Sequence, residues 1–476
     1  MSQKVLVIYT GGTIGMVPRG RGLEPVQDEN ELTQNVPQLD ALQDEVPFQL
    51  VSLRDDKSKQ VEAVYSSDIN VDHWAWMAKQ VEKNYDKYDG FVILHGTDTM
   101  AYTASALSYM LTHLAKPVVI TGSQIPISRH DTDGVWNFVR AVQIAGYQHT
   151  DQPLVPEVCI CFNNNLFRGN RVRKMSTSSA QGFGSPNYPV LGDIGEYIRI
   201  YRERLADPAD NRQYEFHANT SFNPNVLDFA IFPGLRPEAL EKILSVDTIQ
   251  GMVLRTFGAG NAPKDAVLHR ILGDAVKEGK VIVNVTPCPE GQVEAGLYAA
   301  SSALLENGVT SGLDMTPEAA LTKLMWLLGT EPDRSEVRSQ MQVGLRGELS
   351  ESLVEARFTA PELLPDGGPV TLSSRPQGPF VKSHLSRAVV RVQGLTVGGR
   401  DDVKVGVFIN HPNPDKYSQG DRDLAGALSG AAPQCVVTPT VRRVVEDGRA
   451  INITLLAEGA GKIEFDSMAL ALFTRA

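Results

Sequence analysis

Three short segments of the 476-residue chain set hydroxyl, carboxylate and ammonium side chains beside glycine. The first is Tyr9-Thr10-Gly11-Gly12-Thr13-Ile14-Gly15. Glycine is needed where backbone N–H groups approach a ligand closely. A threonine just past such a pair, off the end of an apolar run, can act as a nucleophile when a base or proton relay serves it. The same residues also fit a tight turn with Thr13 capping a helix. The second segment, His95-Gly96-Thr97-Asp98-Thr99-Met100, lies between an apolar run and a helical stretch. Asp98 suits the positive end of that helix, which leaves two adjacent threonines without a role. The third, Arg168-Gly169-Asn170-Arg171-Val172-Arg173-Lys174, holds four cations in seven residues. Such a run is ordinarily a solvated face. A lysine held in a cleft behaves differently, because burial favours its neutral, proton-accepting form.

Other chemistries lack their signatures. There is no Gly-x-Ser-x-Gly elbow, no His-Glu-x-x-His metal pair and no Walker-type phosphate loop. The nine histidines are scattered, so a histidine triad has no local support and His95 reads as a packing residue. The four cysteines show no Cys-x-x-Cys or zinc spacing, which excludes a disulfide scaffold.

The elements that must position these segments follow from the hydrophobic pattern. Residues 1–200 alternate strand-like runs (Val5–Tyr9, Phe48–Leu53, Phe91–Leu94, Val118–Thr121, Val158–Phe162) with amphipathic stretches near 72–84, 99–114 and 132–146. That alternation predicts a mostly parallel sheet covered on both faces. Ligands bind beyond the carboxyl ends of such strands, so Thr10–Gly15, His95–Met100 and Gly122–Pro126 are the places to expect chemistry. Polar residues 201–224 read as a linker. A second α/β block spans 225–347, with strands Leu227–Phe232, Gly251–Thr256 and Val281–Val285 and helices near 236–244, 264–277 and 317–328. Residues 348–385 are rich in Pro, Gly, Ser and Glu and read as another linker. Residues 386–476 carry β-like runs at Val389–Val392, Val403–Phe408, Val436–Arg442, Ile451–Leu456 and Ile463–Phe465, which predict a small antiparallel sandwich. The expected architecture is thus two α/β domains with mostly parallel sheets, followed by an all-β domain.

Composition agrees with a globular chain: 42% apolar, 21% charged. With 45 Lys+Arg against 56 Asp+Glu, the net charge of -11 argues against a nucleic-acid or anionic-membrane surface. No apolar run approaches the length of a spanning helix. The start, Met-Ser-Gln-Lys before Val5-Leu6-Val7-Ile8, lacks the features of a signal peptide, so a cytoplasmic location is expected.

Taken together, Val7–Met16, Tyr88–Leu107 and Lys116–Pro126 resemble the signature motifs of the bacterial asparaginases, closest to the cytoplasmic type I branch. The likeness continues through Arg168-Gly-Asn-Arg, Gly258-Ala-Gly-Asn-Ala-Pro and Leu345-Arg-Gly-Glu-Leu, covering about residues 3–349. It implies hydrolysis of L-asparagine to aspartate and ammonia by a homodimer or homotetramer, with no metal or organic cofactor and no nucleic-acid or membrane partner. Thr13 would attack the side-chain amide and form an acyl-enzyme, while Thr97, Asp98 and Lys174 would activate water. Gly12 and Thr97 would present N–H groups to the oxyanion. Ser66, with Ser67, would hold the α-carboxylate and Asp98 the α-ammonium. Without the resemblance, Ser66–Asp68 reads as a loop and helix cap. Holding both ends of a small amino acid favours asparagine over glutamine. Glutamine, D-asparagine and a peptide-linked amide remain as substrates of related amidohydrolases. A catalytically silent amino-acid-binding or scaffold protein remains as a different class.

Two departures from the family pattern stand out. Leu23, in Gly22-Leu23-Glu24-Pro25, occupies the place of a lid tyrosine, and leucine has no hydroxyl to donate. Arg255 and Cys288 match part of the type I regulatory site, but Arg173 replaces a threonine expected just before Lys174, so allosteric activation is expected to be lost. In the tail, Val407–Asn410 and Lys462–Asp466 resemble the β-domain that ends plant-type polyphenol oxidases, but no copper-binding histidine cluster accompanies them, since only His384 and His411 fall in this region, and the tail reads as an accessory sandwich.

Overall fold

A computed structural model describes residues 4–19, 22–26, 32, 36–52, 63–146, 154–206, 214–294, 299–358, 370–374, 385–410, 424–430, 434–438, 441, 451–457 and 462–475. Val5–Tyr9 is an unbroken apolar strand, and all five residues are buried. Side chains alternate along a strand, so a strand buried at every position needs a cover on each face. Val5, Val7 and Tyr9 join Val92, Leu94 and Phe138 in one core, and Leu6 and Ile8 join Phe91, Ile93, Met77 and Leu107 in the other. The helices Pro37–Glu45 and Gly134–Gly146 cover the first core, and Val71–Asn84 and Met100–Met110 the second. Each large apolar side chain so buried contributes about 1.5–3 kcal/mol.

The eight-stranded sheet runs Ile198–Ile200, Gly192–Ile194, Asn165–Arg168, Val158–Phe162, Val118–Thr121, Gly90–Leu94, Val5–Tyr9, Phe48–Ser52. The last five are mutually parallel, and the first three are antiparallel additions. Tyr9 pairs with Leu94, and Leu94 with Thr121. The three expected chemical segments therefore leave neighbouring strands side by side. A second, all-parallel sheet orders Val226–Ala230, Gly251–Arg255, Val281–Val285 and Thr310–Ser311. Both sheets belong to one compact unit, Met1–Met341 with Leu345–Glu348. Inside it the Lys323 ammonium and Glu348 carboxylate pair at 2.6 Å with no solvent exposure. Burial opposes ionisation of Glu348, but the Lys323 charge and the N–H groups of Leu345 and Arg346 outweigh it and hold the carboxyl below its usual range.

The other unit is Gln342–Gly344 with Leu349–Ala476. It contains two four-stranded antiparallel sheets, around a core that includes Val390, Val407, Ile453 and Leu470. Here the structure corrects the sequence reading. The segment 348–385, expected as a linker, holds strands at Glu351–Phe358 and Val370–Ser374. The first pairs along its length with Ser467–Arg475, and that long-range partner outweighs its polar composition. The run expected as the strand Val436–Arg442 is strand only at its start, within Gln434–Val436; of the described residues beyond, Thr438 and Val441 are helical. The expected linker 201–224 also carries a short strand, His217–Ala218, paired with Leu111–Thr112.

Candidate active site

Thr13 reaches the site because two glycines let three backbones meet. Gly11 and Gly12 have φ of 110° and 82°, a region closed to most side chains. A Cβ on Gly11 would lie 2.3 Å from the Val64 carbonyl oxygen, and one on Gly12 would lie 2.2 Å from the Gly96 nitrogen. Val64 bridges Gly11 as a one-residue parallel pair, which draws the following Tyr65-Ser66 alongside the glycines. A Cβ on Gly96 would lie 2.7 Å from Ser66 Oγ. Thr13, Thr97 and Ser66 thus sit on or next to residues in direct contact.

Each expected site residue can now be placed. Thr13 opens a 3-10 turn whose N-cap is Gly12, so it is not itself the cap. Its hydroxyl makes no hydrogen bond among the described residues. Gly12 requires a correction: its N–H donates to the Val64 carbonyl at 3.1 Å and is unavailable to an oxyanion in this conformation. The Thr97 N–H has no acceptor among the described residues. Ser66 is buried; its Oγ accepts from the Asp98 N–H at 3.2 Å, and its carbonyl accepts from Thr99 Oγ1 at 2.6 Å. Ser67 is exposed and makes no hydrogen bond among the described residues. The helix cap expected in this stretch belongs to Asn70, through a reciprocal capping box with His73.

The basic run is not a solvated face. Arg168 pairs with Glu157 at 2.7 Å, Arg171 with Asp314 at 2.7 Å, Arg173 with Glu318 at 3.4 Å and Lys174 with Asp98 at 2.6 Å. Lys174 Nζ also donates to Thr97 Oγ1 at 2.8 Å. Lys174 is 18% exposed, whereas the Asp98 side chain is 70% exposed. One Asp98 oxygen therefore steadies the ammonium while the carboxylate stays open to a ligand. Asp98 does not cap the helix Met100–Met110, whose N-cap is Thr99.

His95 makes no hydrogen bond to Thr97, Asp98 or Lys174 among the described residues. Its Nδ1 lies 2.7 Å from the Gly96 carbonyl, which can only accept, so that nitrogen carries the proton. Nε2 then accepts from Thr103 Oγ1 at 2.9 Å, and Thr103 accepts from Trp74 Nε1 at 2.9 Å. Complete burial lowers the His95 pKa to about 4, so the ring is neutral near pH 7 and fixes the Gly96 turn.

The expected regulatory residues lie at the ends of adjacent strands, and no bond links them among the described residues. Arg255 pairs with Asp228 at 2.8 Å, and Cys288 is exposed. Leu23 lies in the hairpin Met16–Arg19/Gly22–Pro25, is 44% exposed, and its carbonyl accepts from Tyr65 Oη at 2.7 Å. Sequence reasoning missed Glu318, Asp314 and Tyr65; the only available signal was the clustering of cations that needed counter-charges. Among the described residues no group of three or more His, Cys, Asp or Glu could hold a metal ion, and no helix is long and apolar enough to cross a membrane.

A threonine at a glycine-lined strand end, next to a backbone contact with the turn that carries the Thr97–Lys174–Asp98 cluster, is an arrangement suited to acyl transfer. Residues 4–206 match the "Asparaginase, N-terminal" family model, and residues 225–341 the "Glutaminase/Asparaginase C-terminal domain". L-asparaginase 1 of Escherichia coli is 39% identical over 349 residues, covering 73% of this chain and 98% of its own. The 60 kDa lysophospholipase of Mus musculus is 37% identical over 366 residues, covering 73% of this chain and 63% of its own. The crystal structure of L-asparaginase I from Vibrio cholerae superposes with a TM-score of 0.64 at 37% identity, covering 73% of this chain and 99% of that one. The chain belongs to the asparaginase family. It is an amidohydrolase, and the asparaginase-like α/β part is followed by a strand-rich C-terminal domain.

Proposed function

We propose that the protein hydrolyses L-asparagine to L-aspartate and ammonia through an acyl-enzyme on Thr13. The observation that carries this reading is the contact of Lys174 Nζ with both Thr97 and Asp98, beside the Gly12–Gly96 contact that sets Thr13 next to them. In the first half-reaction Thr13 Oγ bonds to the side-chain carbonyl carbon. The amide C–N bond breaks, and the hydroxyl proton leaves with the nitrogen as ammonia. The Thr97 N–H stabilises the oxyanion; one such donor is worth about 3–4 kcal/mol. In the second, water held by Thr97 attacks the ester, its proton passes through the Thr97–Lys174 relay, and Thr13 Oγ departs with a proton. Ser66 Oγ holds the α-carboxylate, and the open Asp98 carboxylate receives the α-ammonium. Two relatives named L-asparaginase, from Escherichia coli and Thermococcus kodakarensis, are covered to 98% and 100% of their own lengths and support the substrate. We also infer a cytoplasmic enzyme that self-associates as a dimer or tetramer, with no cofactor.

Ammonia release should be measured with L-asparagine, D-asparagine and L-glutamine on wild type and Thr13→Ala. L-asparagine turnover that Thr13→Ala abolishes supports the reading. Equal release from both proteins refutes the nucleophile, and none from either favours a binding module.

A further inference from the structure

Lys174 belongs to a strand only two residues long, Arg173–Lys174, paired with Phe183–Gly184. So short a ladder fixes a side chain poorly by itself, since isolated two-stranded pairs are marginal. Consecutive strand residues point to opposite sides. Lys174 points to Thr97 and Asp98, and Arg173 points to Glu318. Glu318 lies in the first turn of the helix Pro317–Thr330, where the helix dipole favours a carboxylate. Its side chain is 12% exposed and that of Arg173 20%, so the charges meet largely out of water. Asp228 and Arg255 form a second ion pair beside the first, and Tyr102, from the helix that follows the Thr97 turn, lies within the electrostatic reach of all four. Burial raises the Glu318 and Asp228 carboxyls, while Arg173 acts on each to keep it ionised. Upstream, Arg171 is already anchored by Asp314 and by the Glu348 and Asn187 carbonyls. Between Arg171 and Lys174 the chain is held by the fully buried Val172 side chain and by the Arg173–Glu318 ion pair.

We propose that Arg173 and Glu318 are a positioning pair: they pin the outer side of the two-residue strand to the second α/β domain and so hold the Lys174 ammonium on Thr97. This rests on the asparaginase reading for its kinetic consequence but not for its geometry. Small displacements of a proton-relay group cost disproportionately in rate; about 1 Å can cost on the order of a hundredfold.

The test uses the full-length chain as wild type, Arg173→Ala, Arg173→Lys, Glu318→Gln and the Arg173→Ala/Glu318→Gln double variant. Each is assayed for asparagine kcat and KM across pH and for thermal midpoint. In parallel, Lys174 acetylation by limiting acetic anhydride is read by mass spectrometry without substrate. Arg173→Ala and Glu318→Gln should each lower kcat about tenfold or more with KM changed by less than about twofold. The double variant should fall no further than the worse single, because the two residues act through one contact. Arg173→Lys should recover to within about threefold of wild type. Lys174 should acetylate faster once Arg173 is alanine. Unchanged kcat, or kcat loss with unchanged Lys174 reactivity, overturns the proposal. Additive losses in the double variant also overturn it. If wild type releases no ammonia, the asparaginase reading fails, and the acetylation rates alone decide whether the pair positions Lys174.

Discussion

Lys174 and Asp98 are 76 residues apart in the chain and 2.6 Å apart in space. The chain joins them by ending one parallel strand at Leu94 and by returning Lys174 on a separate two-residue hairpin strand. The ammonium is one residue's reach from Thr97 and fixed by the more exposed partner. Replacing it by methionine keeps the length and removes the relay. Lys174→Met should lower kcat for ammonia release by about 10²–10⁴-fold, the usual worth of a placed acid or base. The fold should survive, because Lys174 lies outside the buried apolar clusters on either face of the sheet. A kcat within about threefold of wild type would remove Lys174 from the mechanism.

The hairpin after Thr13 is held through a main-chain oxygen. Tyr65 Oη donates to the Leu23 carbonyl, so the hairpin is tied to the segment carrying Ser66, while the Leu23 side chain offers the site nothing polar. Leu23→Tyr should raise kcat for asparagine, since the family pattern has a lid tyrosine at this place and a phenol can donate a hydrogen bond that leucine cannot. Steady-state rates for the two proteins decide it; an equal or lower kcat counts against the idea.

The legible and illegible parts of this chain divide by range. Val5–Tyr9 and Val118–Thr121 are visible in sequence because doubly buried parallel strands need unbroken apolar runs. Thr13, Thr97 and Asp98 are visible because the glycines that free the backbone lie next to them. The strand Glu351–Phe358 is hidden, because its charged and polar residues imitate a linker until its partner Ser467–Arg475 arrives from the far end. The choice of Lys174 among four neighbouring cations depends on acids from 11 to 143 or more residues away, such as Glu157 and Asp314, which no local pattern reveals. Glu318 was legible only as the start of a helix; its other duty needs the folded neighbour.

Regulation by a second asparagine would require free charges where Arg255 and Cys288 lie. Arg255 is instead paired with Asp228, and Arg173 adds a fixed cation paired with Glu318. An incoming amino acid would have to displace ion pairs already formed. The velocity should therefore be hyperbolic in asparagine, with a Hill coefficient of about 1. A sigmoidal curve would mean that these pairs open for an effector.

His95 gives the fold a pH dependence of defined sign. Its folded pKa is lowered to about 4 by burial, from 6.5. Between those values the unfolded chain binds a proton that the folded chain refuses, so stability falls as pH drops from about 6.5 and levels off below about 4. Holding a proton about 2.5 log units less tightly corresponds to about 3 kcal/mol over the whole range. Carboxylates titrate in the lower part of the window, so the informative quantity is the difference between wild type and His95→Gln. The variant should be less stable at pH 7.5, because it breaks the Gly96–His95–Thr103–Trp74 chain of hydrogen bonds. The gap between the two proteins should then narrow by about 2 kcal/mol on going to pH 5, because only wild type carries the histidine penalty. Urea unfolding at the two pH values measures this directly. Parallel stability curves would mean that His95 is protonated in the folded protein and that the Gly96 turn is held in another way.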